Sequence, residues 1–429
     1  MGYRIQNFEA LAVNELRRDA LGIAEAGYEA IHTEKVIRSK VHIIDGELRI
    51  GNKAYPIARR RIYFVGVGKC SFAAAGAIEK IFGDKLTGGI AFDVSAHDKD
   101  DITNIETYIG THPLPSEVNE RATERIMEFL SGRTENDLVI MFVSGGGSTL
   151  LCIPPATMTC SDEGELFKEL TARGAPIQDM NTVRKHISYA RGGALAEASY
   201  PAEVVSLIVS DVPDNDIAYI ASGPTVLDSS TIADAQAVLA KYGMESMNIA
   251  FIETPKDENY FKRVTNLLFI TNQDALVAMK DEAVRRGYSA TIVSDHIAGE
   301  ARDLGRSIVE KLHASTANTA LLYAGESTVA LSGNTGMGGR NQEMALSALA
   351  HIHSDELVLP FASDGRDNTD HAGAIADELT RTHAREKNIS AEEYLDAHRS
   401  YDFFTTAGDA LLTGYTGSNV SDLIIALKK

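Results

Sequence analysis

Cysteine is scarce in this chain. Its 429 residues hold three, Cys70, Cys152 and Cys160. They form no CxxC pair and no even set for a disulfide framework, which points to a reducing compartment. Long apolar runs are missing as well. None approaches the ~18 residues a membrane helix needs. The N-terminus, MGYRIQNFEALAVNELRRDALG, scatters Arg and Glu where a secretory signal would have its apolar core. A cytoplasmic location is the expectation. Basic residues are outnumbered, 41 against 60 acidic, for a net charge of −19. That balance argues against nucleic acid and anionic membranes as partners. It also means that local Lys and Arg must overcome the global field if the substrate is an anion.

What remains is a globular composition, 44% hydrophobic and 24% charged. The length exceeds one ordinary core, so two domains are expected. A helix is expected over 7–32 and a hairpin over 41–50, turning at Asp45-Gly46. Apolar strands then alternate with helices: strands over 61–67, 88–94, 138–143 and 203–212, with a helix over 116–130 capped by Ser116. After about residue 260 the alternation repeats, with strands over 266–271, 288–295, 319–325 and 356–363. The fold class read from this is α/β in two domains. The first, 1–245, is a Rossmann-like three-layer α/β/α unit with a mostly parallel sheet. The second, 246–429, is another α/β/α unit on which the 7–32 helix is a candidate to pack.

The loops at the strand ends carry the chemistry, because ligands of open α/β sheets sit beyond the C-terminal strand ends. Ser144, Gly145, Gly146, Gly147 and Ser148 follow one strand with little side chain, so their N–H groups and hydroxyls can surround an anion. GVGKCS contains Gly66, Gly68 and Lys69. It nearly matches a dinucleotide fingerprint, with Asp93 placed for a ribose, but it is not a Walker A loop. Lys69 opposes the dipole at its helix start, which an intervening anion would relieve. His112, in a loop, is a candidate base or a structural residue. NTVRKHISYARGG gathers Arg184, Lys185, His186 and Arg191, either as an anion site or as a solvated helix face. Asp211 ends a strand and suits Mg²⁺ or a hydroxyl proton, while Asp214 and Asp216 read as turn formers. Gly338 and Gly339 lead into Arg340 and Asn341, and the arginine fork suits phosphate or carboxylate. Asp364 is a further candidate metal ligand.

Nine segments in order, GVGKCS, GTHPLP, VSGGGSTLL, NTVRKHIS, RGGALA, SLIVSDV, IASGPT, GGRNQE and TGYTGSNVSDL, resemble the glycerate 2-kinase family, whose members join a DUF4147 region to a MOFRL domain. The resemblance spans about residues 60–427. It implies two α/β domains with the active site in their cleft, and phosphorylation of D-glycerate at C2 with ATP and Mg²⁺. It also implies catalytic roles for Lys69, Arg340 and Asp211, and a binding role for the Ser144–Ser148 loop. The chain departs from the usual pattern in SDGRDNTDHAGA, at Asn368 and His371, and in SDVPDND. It also has Arg191 where a lysine is usual.

Kinase chemistry suits these residues, since phosphoryl transfer needs positioning and positive charge rather than covalent machinery. On this reading nucleotide phosphates fall to Gly66, Gly68, Gly338 and Gly339. The acceptor and phosphate fall to the Ser144–Ser148 loop, Arg191 and Asn341, and the departures at 368 and 371 face the acceptor. Partners are small molecules only, in a monomer or homodimer. The alternatives are a kinase for another small hydroxy acid and an NAD(P)H-dependent hydroxypyruvate reductase, which would use the near-fingerprint and Asp93.

Overall fold

A computed structural model describes residues 2–212, 215–247, 249–331 and 336–429. Asp214 and residues 332–335 of the Gly-rich segment therefore lie outside the described residues. The chain divides into two compact units.

The first unit runs from Thr33 to Ile270. It opens with a three-stranded antiparallel sheet, β1 (Val41–Ile44), β2 (Glu47–Ile50) and β3 (Lys53–Pro56). Asp45 and Gly46, at φ 52° and 79°, make the expected hairpin turn. Six parallel strands follow: β4 (Arg61–Val67), β5 (Leu86–Asp93), β6 (Glu106–Ile109), β7 (Asp137–Val143), β8 (Glu203–Val209) and β9 (Val264–Ile270). Their order across the sheet is β6-β5-β4-β7-β8-β9. Counted along the chain this is the doubly wound 3-2-1-4-5-6, with its switch point between β4 and β7. Every residue of β7 is buried, as a strand covered on both faces requires. Ser116 caps the helix Glu117–Leu130 as expected, accepting from Val118 N–H. The expected second domain begins at 246. The strand after it, β9, lies in parallel register with β8 and belongs to the first unit's sheet.

The second unit joins the residues through His32 to Thr271–Lys429. Its main sheet is β10 (Ser289–Ile297), β11 (Thr319–Gly325), β16 (Asp422–Lys428), β12 (Glu356–Ala362), β13 (Gly373–Ala374) and β15 (Ala410–Leu411), with β14 (Ala376–Asp377) against β12. The repeated alternation suggests a parallel sheet, but the sheet is mixed. β16 inserts antiparallel between β11 and β12. Its run Leu423–Leu427 is fully buried, and a seven-residue strand at the end of the chain gives no periodic warning of its direction.

The 7–32 segment is two helices rather than one, Phe8–Leu11 and Glu15–Ala30. Asn14 starts the second by accepting Arg17 N–H at 2.8 Å. The helix delivers Arg17, 1% exposed, to two carboxylates. The guanidinium meets both oxygens of Asp377 at 2.7 Å and Asp409 Oδ1 at 2.7 Å. A further correction concerns cysteine. Cys152 and Cys160 form a disulfide with Cα atoms 6.5 Å apart, and Cys70 is buried outside that pair. Residues 153–159 turn back and seat Cys160 at the start of the helix Cys160–Ala172.

Removing one partner of a buried ionic cluster strands the others. Arg17→Met is therefore expected to destabilise the second unit by about 3–5 kcal/mol, read by urea denaturation. A loss below about 1 kcal/mol would mean that Asp377 and Asp409 are satisfied without Arg17.

Candidate active site

The parallel ladder of β4 and β7 ends with Val67 opposite Val143, so the loops that follow emerge side by side at the switch point. They are laced together. Ser144 N–H donates to Val67 O at 3.0 Å, Lys69 N–H to Gly145 O at 2.9 Å, and Ser144 Oγ to Lys69 O at 2.5 Å. Gly68 sits at φ 113°, and a Cβ there would strike Ser144. A Cβ on Gly146 would meet the His112 ring at 3.4 Å and Lys69 Cγ at 3.6 Å, so the lysine stem and His112 flank the loop. Gly145 and Gly146 N–H groups have no hydrogen-bond acceptor among the described residues.

A cavity of about 240 Å³ opens on this loop. Gly145, Gly146, Ser148, Asp211, Asn181 and Arg184 line it. Its wall is held by the turn at 220–223. Ala221 and Ser222 both adopt left-handed conformations, φ 50° and 59°. Ser222 Oγ donates to Asn181 Oδ1 at 2.8 Å and lies 2.9 Å from Ser148 Oγ. A Cβ on Gly147 would lie 2.6 Å from that of Ala221. Two non-glycine residues in αL cost of order 1–3 kcal/mol each, the kind of strain that clusters at ligand sites. Asp216 is the turn former expected, accepting Ala218 N–H at 2.9 Å.

Several expected site residues are placed otherwise. Gly66 lies within β4, where a Cβ would crowd Phe64 and Ser71, and Gly68 N–H is bonded to Phe92 O. Neither offers a donor to a nucleotide. Asp93 does not face a ribose. It is 1% exposed and accepts from the N–H groups of Phe72 at 3.1 Å and Val94 at 2.6 Å. The anion that the helix Ser71–Phe82 calls for at its start is thus Asp93 itself. Burial pushes its carboxyl up to about 6, against those N–H groups.

The basic cluster is neither a solvated face nor one shared anion site. Arg191 is wholly buried and paired with Glu163 at 2.6 Å, not turned to a ligand. Lys185 meets Asp228 at 3.1 Å, and His186 Nδ1 bonds Ile252 O. Arg184 lines the cavity instead. The clue missed in the sequence is helical spacing: Asn181 and Arg184, three apart in the helix Ile177–Lys185, share a face.

In the second unit, Arg340 opens the helix Arg340–Leu349. Its fork reaches Asp422 Oδ2 at 2.5 Å and Glu326 Oε1 at 2.9 Å, with the side chain one-third exposed. Gly338 and Gly339 are closely packed rather than open, and a Cβ on either would strike Ser400 or Asp367. Asn341 is wholly buried, its N–H on Asp367 Oδ1 at 3.1 Å, so it holds the protein's own carboxylate rather than a ligand. His371 is buried, with Nδ1 on Gln342 Oε1 at 3.0 Å and its ring stacked on Tyr401. Burial lowers its affinity for a proton. It supports the helix start rather than facing an acceptor. Asn368 sits exposed at φ 57°, a conformation asparagine tolerates. Asp364 is half-buried, with Oδ1 accepting Arg366 N–H at 3.0 Å. Among the described residues no helix is long and apolar enough to cross a membrane.

Residues 19–253 match the family described as a domain of unknown function, DUF4147, and residues 319–422 match the MOFRL family. The pairing defines the class: α/β proteins that carry both regions in one chain. A Thermotoga maritima protein named D-glycerate 2-kinase is 34% identical, over 96% of this chain and 98% of its own length. An Agrobacterium vitis protein named putative hydroxypyruvate reductase is 36% identical over 91% and 92%. The crystal structure of the Thermotoga maritima glycerate kinase superposes with a TM-score of 0.83 at 32% identity, covering 96% of this chain and 99% of that one. The chain belongs to the glycerate 2-kinase family.

Asp93 supplies a pH test of the geometry. Its folded pKa, about 6, exceeds the unfolded value of about 3.9. The folded state therefore holds the extra proton, and this group's contribution to stability falls as pH rises from about 4 to 6. Measured by urea denaturation, Asp93→Asn should gain on wild type across that window by on the order of 2–3 kcal/mol, and stay level above it. A difference that does not change with pH would mean that Asp93 is solvated.

Proposed function

We propose that the protein phosphorylates D-glycerate at its 2-hydroxyl with ATP, giving 2-phosphoglycerate by direct phosphoryl transfer. The observation that carries this reading is the meeting, at one strand edge, of Lys69, the Gly145–Ser148 loop and Asp211. The name of the Thermotoga maritima relative, matched over nearly its whole length, supports it.

Phosphoryl transfer asks for positive charge and oriented donors around the transferring group. Lys69 brings its charged side chain past Gly146, and the Gly145 and Gly146 N–H groups would serve as donors to the phosphate. Asp211, half-buried on the cavity wall, accepts the proton of the acceptor hydroxyl or orients it. Within the second unit, Arg340 has its fork held in orientation by Asp422 and Glu326, as a phosphate-binding arginine requires. Mg²⁺ fits this donor set, since that ion typically takes one or two carboxylates and completes its shell with nucleotide phosphates and water. Asp211 would hold it. Bound there, the ion neutralises charge on the phosphates. The buried placement of Asp93 weighs against the reductase alternative, because the ribose-binding carboxylate it needs is taken up by a helix start.

Incubation with ATP, Mg²⁺ and D-glycerate, with the product position read by NMR, tests the reading against NADPH plus hydroxypyruvate. NADPH consumption without ADP formation would reverse it. Lys69→Ala should keep the fold and lower kcat by on the order of 10²-fold or more. Arg340→Lys should lower kcat/KM strongly, because lysine keeps the charge and loses the fork. Kinetics within a few-fold of wild type would remove either residue from the mechanism.

A further inference from the structure

The helix Ile177–Lys185 presents Asn181 and Arg184 to the 240 Å³ cavity, on the wall that also carries Gly145, Gly146 and Asp211. Asn181 is fixed by Ser222, as its Oδ1 accepts that hydroxyl. Arg184 is fixed by packing. Its guanidinium carbon lies 4.1 Å from the centre of the Phe167 ring, which leaves the plane of the group rigid. Its Nε is buried without a hydrogen-bond partner.

The charge balance around it is uneven. Arg184 and Arg191 are neighbours, since Arg191 Nη1 donates to Arg184 O at 3.2 Å. One buried carboxylate, Glu163, lies nearby, and Arg191 takes it at 2.6 Å. Among the described residues no carboxylate pairs with Arg184. Burial, with Arg191 close by, lowers its guanidinium to about 10, partly offset by Glu163. A half-buried cation left over in this way is costly unless an anion completes it. Among the described residues the fully buried arginines, Arg17 and Arg191, each have a carboxylate.

Arg184 also lines a second cavity of about 430 Å³, bounded by Leu114, Pro115 and Phe167. Glu163 and Lys168 also line that side, the lysine already paired with Glu165, whereas the glycine-loop side offers backbone N–H groups.

We propose that Arg184 is the carboxylate-binding residue of the acceptor site, taking the acid group of a short 2-hydroxycarboxylate whose hydroxyl then lies toward Asp211. This rests on the kinase reading above and assigns it a specificity determinant. A guanidinium packed against Phe167 presents a planar fork, matching a planar carboxylate better than a tetrahedral phosphate. A neutral polyol of the same size would leave the guanidinium uncompensated, so the site discriminates by charge.

The test is calorimetric titration of D-glycerate and its neutral amide, glyceramide, into the full chain without nucleotide, alongside steady-state kinetics, for wild type and Arg184→Met. Methionine keeps the packing on Phe167. The expected result is a glycerate Kd and KM raised about 10- to 100-fold in the variant, the loss of one charge-assisted pair. The KM for ATP should stay within about twofold, and the preference for glycerate over glyceramide should collapse. Arg184→Lys should recover part of the loss. A folded Arg184→Met with unchanged glycerate affinity overturns the proposal. So does a wild type that binds glyceramide as tightly as glycerate, and that comparison decides the matter if the variant fails to fold. Arg184-dependent glycerate binding with no ATP-dependent turnover would sink the kinase reading and keep this site. Turnover indifferent to Arg184 would do the reverse.

Discussion

The approach of Gly68 to Ser144 is the contact on which the rest of the first unit's site depends. The β4–β7 ladder brings the two strand ends level, and no side chain fits where Gly68 passes Ser144. Only because that approach is open can Ser144 close onto Val67 and Lys69, and Lys69 N–H onto Gly145. Three hydrogen bonds thereby extend the lacing of the two chains beyond the sheet. The Gly-rich loop is consequently fixed rather than floppy, and the lysine stem is aimed along it. The strained pair Ala221 and Ser222 completes the support from the other side, placing the Ser222 hydroxyl between Asn181 and Ser148.

The two units solve the same electrostatic problem alike. In each, a helix follows a glycine-containing loop, and its first N–H groups need an acceptor. Asp93, the last residue of β5, serves the helix Ser71–Phe82. Asp367, just after β12, serves Arg340–Leu349 through Asn341 and Gln342 N–H. Each carboxyl is buried and raised by that burial, with the N–H groups opposing. The helix starts are thus already neutralised from within. A bound phosphate cannot take the helix-end position familiar from dinucleotide folds. Anion recognition passes to loop N–H groups and to side-chain cations.

This explains what the sequence made legible and what it did not. The elements of the first unit follow directly from short apolar runs and caps such as Ser116, because a covered parallel strand must be apolar throughout. The gathering of Lys69, the Ser144–Ser148 loop and Asp211 follows from their common position after strands of one parallel sheet. What the sequence hides is which polar residues serve the protein itself. Asp93, Asn341 and Arg191 look like ligand contacts because they are polar residues near glycine loops. Their partners are Phe72, Asp367 and Glu163, and the last two are 26 and 28 positions away in sequence. The direction of β16 is hidden for the same reason, since it depends on where a distant segment lands. Arg184 and Arg191 are indistinguishable as letters, and only burial and partnership separate them.

Buried charge then accounts for how a chain of net charge −19 can attract an anion. At the surface, long-range repulsion from the acidic excess is screened within about 8 Å at physiological salt. Inside the cavity wall, screening is weak and the local count decides. There Arg191 takes Glu163 and leaves Arg184 without a carboxylate of its own among the described residues, on the wall that also carries Asp211 and the Gly145 and Gly146 N–H groups. A half-buried cation without a carboxylate is unfavourable, and it is relieved when an anion enters. The glycine loop, rigid through its lacing to β4, cannot relax to relieve it in the anion's absence. Rigidity of the loop and imbalance of the charge therefore work together: one prevents the protein from satisfying itself, and the other makes an anionic ligand the way to do so.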